Sequence, residues 1–495
     1  MFNTALHHQV DISIINEIDC KLGQIWMPFS RYKFESAIHK CSDNSAPGPD
    51  KISWHHWKLI IKDRNCLSKI INITDTCINL GHWPKYFKIS TTVIIPKPSK
   101  PSYDNSKSFH PIVLLNTLGK LIEKVIAERI QFTVASNDFI HPSQLGGLKF
   151  KSTSDAGIAL THIIRSGWSK GRTTSTLAFN ISQFFPSLNH QLLVLILKKS
   201  GLDSKVSKFF VNYLIQRSTT YQWNDLSSPP FKVNVGVGQG LALSPILSSL
   251  YLSPLLYIIE KRFKILNILI SILSFVNNGL FIVQNKSISI SNSHLFCGYN
   301  ILSKLLNSFG LIIKHSKTEI FHFNRSQGLF NPPSLDLSPI RGPILCPKDS
   351  WKYLGFIFDQ KLLFHKHIDH YANKAISTVK CMKLLGNSSR GINPIQKHLL
   401  YRCCALPIAL YGFQLWYYNK APLLYHMKIL NKIQRRAAIW ITGTFKTSPL
   451  EGIEAITGIM PIHFHLQKIV KRSLIRPFKL PDNHILKNLL NDSPP

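Results

Sequence analysis

LSFVNNGLFIV, residues 273–283, sets two short apolar runs on either side of Asn277-Asn278-Gly279. Asn and Gly tolerate the backbone angles of a tight turn, so the spacing predicts two strands and a hairpin. Alone, this reads as an ordinary hairpin turn. Working outward changes that. LAFNISQFFPSLNH (177–190) predicts a strand over Ser175–Ile181 that ends beside Asn180, then a helix beginning at Pro186 with Leu192, Leu193 and Ile196. Asn277 follows Asn180 by 97 residues, which suits two separate segments that meet in space.

The neighbouring stretches extend the pattern. Thr91–Pro96 is β-branched and predicts a strand. Leu118, Leu121, Ile122, Val125, Ile126 and Ile130 recur at helical spacing within Thr117–Gln131. Ser244-Pro245 opens an apolar helix, with Pro in its favoured first turn. Residues 29–42 predict a short amphipathic helix, Ala46-Pro47-Gly48-Pro49-Asp50 a rigid turn, and 54–80 a helical stretch. Strand and helix patterns alternate over 90–325. From about 350 the chain reads as mainly helical, with Trp351–Phe358 as a strand, and the Pro-, Ser- and Gly-rich segment 326–347 reads as a linker.

Composition narrows the function. The chain has 495 residues, 44% hydrophobic and 17% charged, the balance of a globular protein. Lys plus Arg total 59 against 25 Asp plus Glu, a net charge of +34, which favours a polyanionic partner such as nucleic acid. Nine cysteines form no C-x-x-C pair, which argues against a zinc ribbon and for reduced thiols. The N-terminal residues lack a basic run leading into an apolar one, so no secretory signal is expected. Ile265–Val283 is broken by Asn267, Asn277 and Asn278 and reads as buried strands, not a membrane span.

Several blocks, in order, resemble the reverse transcriptase of a non-LTR (LINE-type) retrotransposon. SAPGPDKIS (45–53), VIIPKPSKP (93–101), SFHPIVLLNTLGKLIEKVIAERI (108–130) and SQLGGLKFKSTSDA (143–156) are similar to its leading blocks. LAFNISQFFPSLNH resembles motif A, VGVGQGLALSPILSSLYL (235–252) motif B, LSFVNNGLFIV motif C and FGLIIKHSKTE (309–319) motif D. WKYLGFIFD (351–359) and LPIALYGFQLWY (406–417) resemble blocks beyond the palm that favour LINE elements.

The resemblance implies an α+β right-hand polymerase fold of fingers, palm and thumb, with a mainly helical C-terminal connection region. The expected divisions are an N-terminal remnant at 1–28, fingers at 29–170, a palm carrying motifs A–D at 171–325, the linker at 326–347, thumb and connection at 348–480, and a tail at 481–495. It implies RNA-directed DNA polymerisation by two Mg²⁺ ions, one activating the primer 3′-hydroxyl and one stabilising the leaving oxygen. It also implies an RNA template, a DNA primer, dNTP if the chain is active, no membrane, and a nuclear or cytoplasmic rather than secreted location. The family's upstream endonuclease and downstream regions are not recognisable, so the chain is expected to be a fragment of a larger polyprotein.

At the catalytic positions the sequence departs from the family. Asn180, Asn277 and Asn278 stand where the resemblance places aspartates, with Asn180 and Asn277 at the metal positions. A carboxamide offers Mg²⁺ a neutral oxygen in place of an anionic one. Losing both metal carboxylates is expected to cost roughly four or more orders of magnitude in rate. The resemblance assigns nucleotide contacts to Lys97, Lys100, His110, Phe185, Gln239 and Gly240, and a proton-donating or phosphate-contacting role to Lys317. Phe185 is either a steric gate against a 2′-hydroxyl or a core aromatic. Lys97 and Lys100 either face a triphosphate or end a solvated strand. His110 stands at an arginine position and lacks the guanidinium fork. Gly238-Gln239-Gly240-Leu241-Ala242 departs from the family's Pro-Gln-Gly-Ser-Pro. Asp155, Asp203 and Glu319 read as structural.

Asp→Asn, Arg→His and Glu→Lys changes each follow from one G-to-A transition, and Ser→Leu from C-to-T. A hypermutated element copy would account for the lost aspartates and the scarce acids together. Selected loss of catalysis in a retained template–primer-binding protein is the alternative, and an unfolded or untranslated product the third reading.

Overall fold

The computed structural model describes residues 10–98, 100–105, 108–325, 331–386, 390–418 and 422–491. The first nine residues of the expected N-terminal remnant, residues 326–330 of the expected linker and the last four of the tail lie outside the described residues.

Two sheets organise the first two thirds of the chain. In chain order the strands are β1 (Ile89–Pro96), β2 (Phe109–Leu114), β3 (Thr173–Asn180), β4 (Arg217–Trp223), β5 (Leu226–Ser227), β6 (Phe231–Val233), β7 (Ser271–Phe275), β8 (Asn278–Asn285) and β9 (Glu319–Phe323). β1 pairs antiparallel with β2 and parallel with β4, and β4 also carries β5 and β6. The other sheet is antiparallel throughout, in the order β7-β8-β3-β9.

The second sheet is buried on both faces, which explains its near-continuous apolar runs. Side chains alternate along a strand. On β8, Phe281 and Val283 join Leu177 and Phe179 in one core, with Leu295 and Tyr299 of the helix Ile288–Ser308. Leu280 and Ile282 face the other way and join Leu273, Phe321 and the helix Thr153–Ser169 in a second core. That second core continues into the C-terminal helices, among them His365–Met382 and Leu424–Thr442. The helix Ser244–Ile265 is buried on nearly every side, with Pro in its first turn as expected.

Several local expectations need correction. The hairpin loop is Val276-Asn277, since Phe275 pairs with Asn278 and Asn278 already belongs to β8. Val276 takes the positive φ (56°), and Gly279 sits in regular strand. Gly279 is there for space: a Cβ would lie 2.0 Å from the Phe179 ring. Trp351–Phe358 is two strands, β12 (Ser350–Tyr353) and β13 (Phe356–Asp359), after the short pair β10 (Leu335–Asp336) and β11 (Ile344–Leu345). Leu354 and Gly355, at φ 47° and 90°, make the intervening turn that the run of apolar residues had concealed.

Pro186 lies in the single turn Phe184–Ser187, and the leucine-bearing helix starts at His190, capped by Asn189. The 54–80 stretch is two helices, Trp54–Ile60 and Arg64–Leu80, the second capped by Asp63. The described part of the 326–347 segment packs rather than loops out: Leu335, Leu337 and Leu345 are buried in the first core.

Candidate functional site

The register of the antiparallel sheet creates the site. β3 and β8 align so that Asn180, the last residue of β3, faces Asn278, the first residue of β8. The Asn180 Nδ2 donates to Asn278 Oδ1 at 2.7 Å. Asn278 Nδ2 lies 3.5 Å from Asn277 Oδ1, and Asn277 Nδ2 lies 3.5 Å from the Ile181 carbonyl. The three carboxamides thus form a chain of donors and acceptors that ends on the backbone. Ile181 N–H returns a bond to the Asn277 carbonyl at 2.8 Å, which pins the hairpin loop to the end of β3.

The stretch before β9 is bound to the same spot. Lys314 N–H donates to the Asn180 carbonyl (2.7 Å) and Ser182 N–H to the Ile312 carbonyl (2.8 Å). One turn on, Lys317 N–H donates to the Lys314 carbonyl, which ties the Lys317 backbone to the stretch bonded to Asn180. Neither Lys314 nor the strain at Val276 stood out in the sequence. A β-branched residue at positive φ is an outlier, so nothing in the local sequence could have placed Val276 in the turn.

The lysines of the β1–β2 hairpin reach toward this end. Lys97 N–H donates to the Ser108 carbonyl (2.8 Å) and its own carbonyl accepts from the Tyr103 hydroxyl (2.8 Å). Partial burial, then the charges of Lys100 and Lys317, hold the Lys97 pKa below the usual lysine range. Lys100 and Lys317 are therefore each near enough to act on Lys97. His110, opposite Ile95 in the hairpin, has its pKa lowered by burial and then by Lys97, which keeps it neutral at pH 7.

The loop before the helix Ser244–Ile265 closes the third side. Val113 N–H of β2 donates to the Gln239 carbonyl (2.8 Å), and Gly240 at φ 101° lets the backbone come within van der Waals contact of Ile112 and Val113. Val237 N–H donates to the Phe185 carbonyl (2.8 Å), while the Phe185 ring is half-buried against the first core. Leu241 is buried, 2% exposed, so the loop presents Gln239 and Gly240 rather than Leu241 to solvent. Under this loop lies a network the sequence did not reveal. Glu123 is fully buried and accepts from the Tyr213 hydroxyl (2.6 Å) and Ala242 N–H (3.2 Å), and the Arg217 guanidinium lies over the Tyr213 ring at 4.9 Å. Burial raises the Glu123 pKa.

Mg²⁺ requires hard anionic oxygens in octahedral array. The meeting point of β3 and the hairpin supplies three neutral carboxamides already bonded to each other. Among the described residues no group of three or more His, Cys, Asp or Glu side chains could hold a metal. The three acids that read as structural in the sequence are committed elsewhere. Asp155 caps the helix Thr153–Ser169 and pairs with Arg476, Asp203 caps Ser204–Leu214, and Glu319 pairs with Lys348. The donor set does not fit two Mg²⁺ ions. No described helix is long and apolar enough to cross a membrane.

Comparison with known proteins bears on this geometry. A model of the family "Reverse transcriptase (RNA-dependent DNA polymerase)" matches residues 95–358, over half the chain. The chain is 25% identical over 366 residues to a probable RNA-directed DNA polymerase from transposon BS of Drosophila melanogaster, covering 70% of this chain and 37% of that protein. It is 23% identical to the corresponding protein of transposon X-element from the same organism (84% and 44% covered). It is 22% identical to the Pol polyprotein of the type-1 retrotransposable element R1 of Bradysia coprophila (90% and 42% covered). The chain spans about half or less of the length of these relatives. Among solved structures, telomerase from Candida albicans with a telomeric RNA fragment aligns at 14% identity and TM-score 0.39, over 79% of this chain and 68% of that one.

Proposed function

The chain belongs to the reverse transcriptase (RNA-dependent DNA polymerase) family, and on that premise we propose that it is a non-LTR retrotransposon polymerase module that holds a template–primer duplex without extending it. The observation that carries this reading is the bonded chain of Asn180, Asn278 and Asn277 at the junction of β3 and the β7–β8 hairpin. In this reading the antiparallel sheet is the palm, the β1–β2 hairpin belongs to the fingers, and the three asparagines take the positions of the family's metal-binding aspartates. The family typically uses a divalent metal. Here the carboxamides satisfy one another and bring no negative charge, so no step is assigned to a metal.

What the remaining residues can do is bind. Lys97, Lys100 and Lys317 converge on one end of the sheet, where their charges favour phosphate. Gln239 and Gly240 offer a flat, closely approached backbone surface for a base pair. Because the three asparagines bring no negative charge to this end of the sheet, phosphate can bind there without Mg²⁺ to mask them. His110 stays neutral and contributes a ring edge rather than a guanidinium fork. Two histories fit a site of this kind: decay by biased transitions, and retention as a binding protein. The net charge of +34 is compatible with both.

The test is equilibrium binding of a labelled RNA template–DNA primer duplex in EDTA and again in Mg²⁺, across a salt series. Equal affinity in both, with a steep salt slope that flattens by about 2 to 3 in the Lys97→Gln, Lys100→Gln, Lys317→Gln variant, is the expected result. Binding that requires Mg²⁺, or a slope unmoved by the triple substitution, would overturn the proposal.

A further inference from the structure

A cleft of about 390 Å³ opens in the C-terminal helical region, away from every residue of the asparagine site. Its lining includes the apolar Leu406 and Ile469 and the aromatic residues Tyr411 and Phe413. Arg402 and His465 line it too, and none of its described lining residues is acidic.

Local structure aims these groups. Arg402 lies in a π-helical turn, Tyr401–Ala405, a wide turn that tends to mark functional positions. The buried Tyr401 anchors that turn through its hydroxyl to Gln434 Oε1 at 3.2 Å, which leaves Arg402 exposed. Gly412 at φ 69° turns the chain between Tyr411 and Phe413. On the helix Ile462–Ile475, His465, Lys468 and Arg472 are spaced by three and four residues and so share one stripe. Arg402, Lys468 and Arg472 all press on His465, and its pKa is lowered by burial first and then by those three. Arg402 in the lining, and Lys468 and Arg472 on the helix stripe that carries His465, thus set three cations beside the cleft.

Cations beside a cleft lined by apolar and aromatic residues match what a single-stranded nucleic acid presents: regularly spaced phosphates and a flat base. The volume suits one unstacked nucleotide. We propose that this cleft is a second nucleic-acid contact, with the backbone of a single strand along Arg402, Lys468 and Arg472 and one base against Phe413. It rests on the reading of the chain as a nucleic-acid binder, but uses none of the residues that carry that reading.

The experiment uses the full chain and a fluorescein-labelled 12-nucleotide oligouridine, with anisotropy read across a potassium chloride series. The variant is Arg402→Gln, Lys468→Gln, Arg472→Gln, all exposed positions whose loss leaves the cores untouched. Three lost phosphate contacts make the log–log salt slope shallower by about 2. Photocrosslinking of a 4-thiouridine strand to the unaltered protein adds a readout independent of any substitution, with adducts expected on peptides spanning 402–414 or 462–475. An unchanged slope, or adducts confined to the β1–β2 hairpin and residues 235–243, overturns the proposal. Equal competition by uridine monophosphate and by the 12-mer, at equal nucleotide concentration, also overturns it, because the cleft would then be a mononucleotide site. Template–primer binding by this variant is expected to keep its dependence on Lys97, Lys100 and Lys317. Loss of that dependence, with the cleft result intact, would be a failure of the reading at the asparagine site instead.

Discussion

Asn180, Asn277 and Asn278 form a cluster whose energetics differ in sign from those of a carboxylate triad. Three carboxylates at this spacing repel; like charges about 4 Å apart cost about 4 kcal/mol at an effective dielectric of 20. Carboxamides donate and accept in turn, and the cluster is stable without a cation. The melting temperature of the unaltered chain is therefore expected to be the same in EDTA and in Mg²⁺. The Asn180→Asp, Asn277→Asp, Asn278→Asp variant should melt several degrees lower in EDTA and recover in Mg²⁺. Differential scanning calorimetry in the two buffers checks this, and an equal loss in both would mean that the amides are packed for shape alone. At Tyr213 a Phe leaves the buried Glu123 one donor short, and a loss of about 1–3 kcal/mol in a urea titration is expected.

At the residue scale, local sequence pattern indicated a strand end and an ordinary turn, and it was the resemblance of the flanking blocks that singled out the three asparagines. Neither signal located Glu123 and Arg217, which are brought together only by the fold; one lies on the helix Thr117–Ser136 and the other opens β4.

Among the elements, the β7–β8 hairpin depends on a packing gap. Gly279→Ala places a methyl against the Phe179 ring, and about 1–3 kcal/mol of stability should be lost. Combined with Phe179→Leu the cost should be less than the sum of the two, because the smaller side chain vacates the space. Additive losses would mean that strand geometry, not the ring, requires the glycine. The same hairpin shows what an alternating pattern leaves undetermined. Phe275-Val276-Asn277-Asn278-Gly279 contains three residues that tolerate turns, and only the pairing of Phe275 with Asn278 decides which two form the loop. Trp351–Phe358 posed the opposite problem, since its apolar run continues through Leu354 and conceals a turn. Long helices such as Ser244–Ile265 were legible because their first-turn proline and apolar length agree.

At the scale of the whole molecule, buried histidines set a pH limit. His322, His367, His426 and His484 are each pushed down to about 4 by burial, against about 6.5 for an unfolded histidine. Between those values the unfolded chain binds more protons than the folded one, so stability falls as pH drops from about 6.5 to about 4. Each histidine contributes at most about 1.4 kcal/mol per pH unit in that window. Denaturant midpoints at pH 7 and pH 5 should differ accordingly, and His322→Gln should remove part of the difference. Equal midpoints would place these rings in water.

The most direct measurement is single-turnover primer extension on an RNA template with Mg²⁺, comparing the unaltered chain with the triple Asp variant. The unaltered chain is expected to add no nucleotide above background while still binding the duplex. Mg²⁺-dependent extension by the unaltered chain, at a rate within about a hundredfold of the Asp variant, would contradict the account, since other carboxylates would then have to hold the metals.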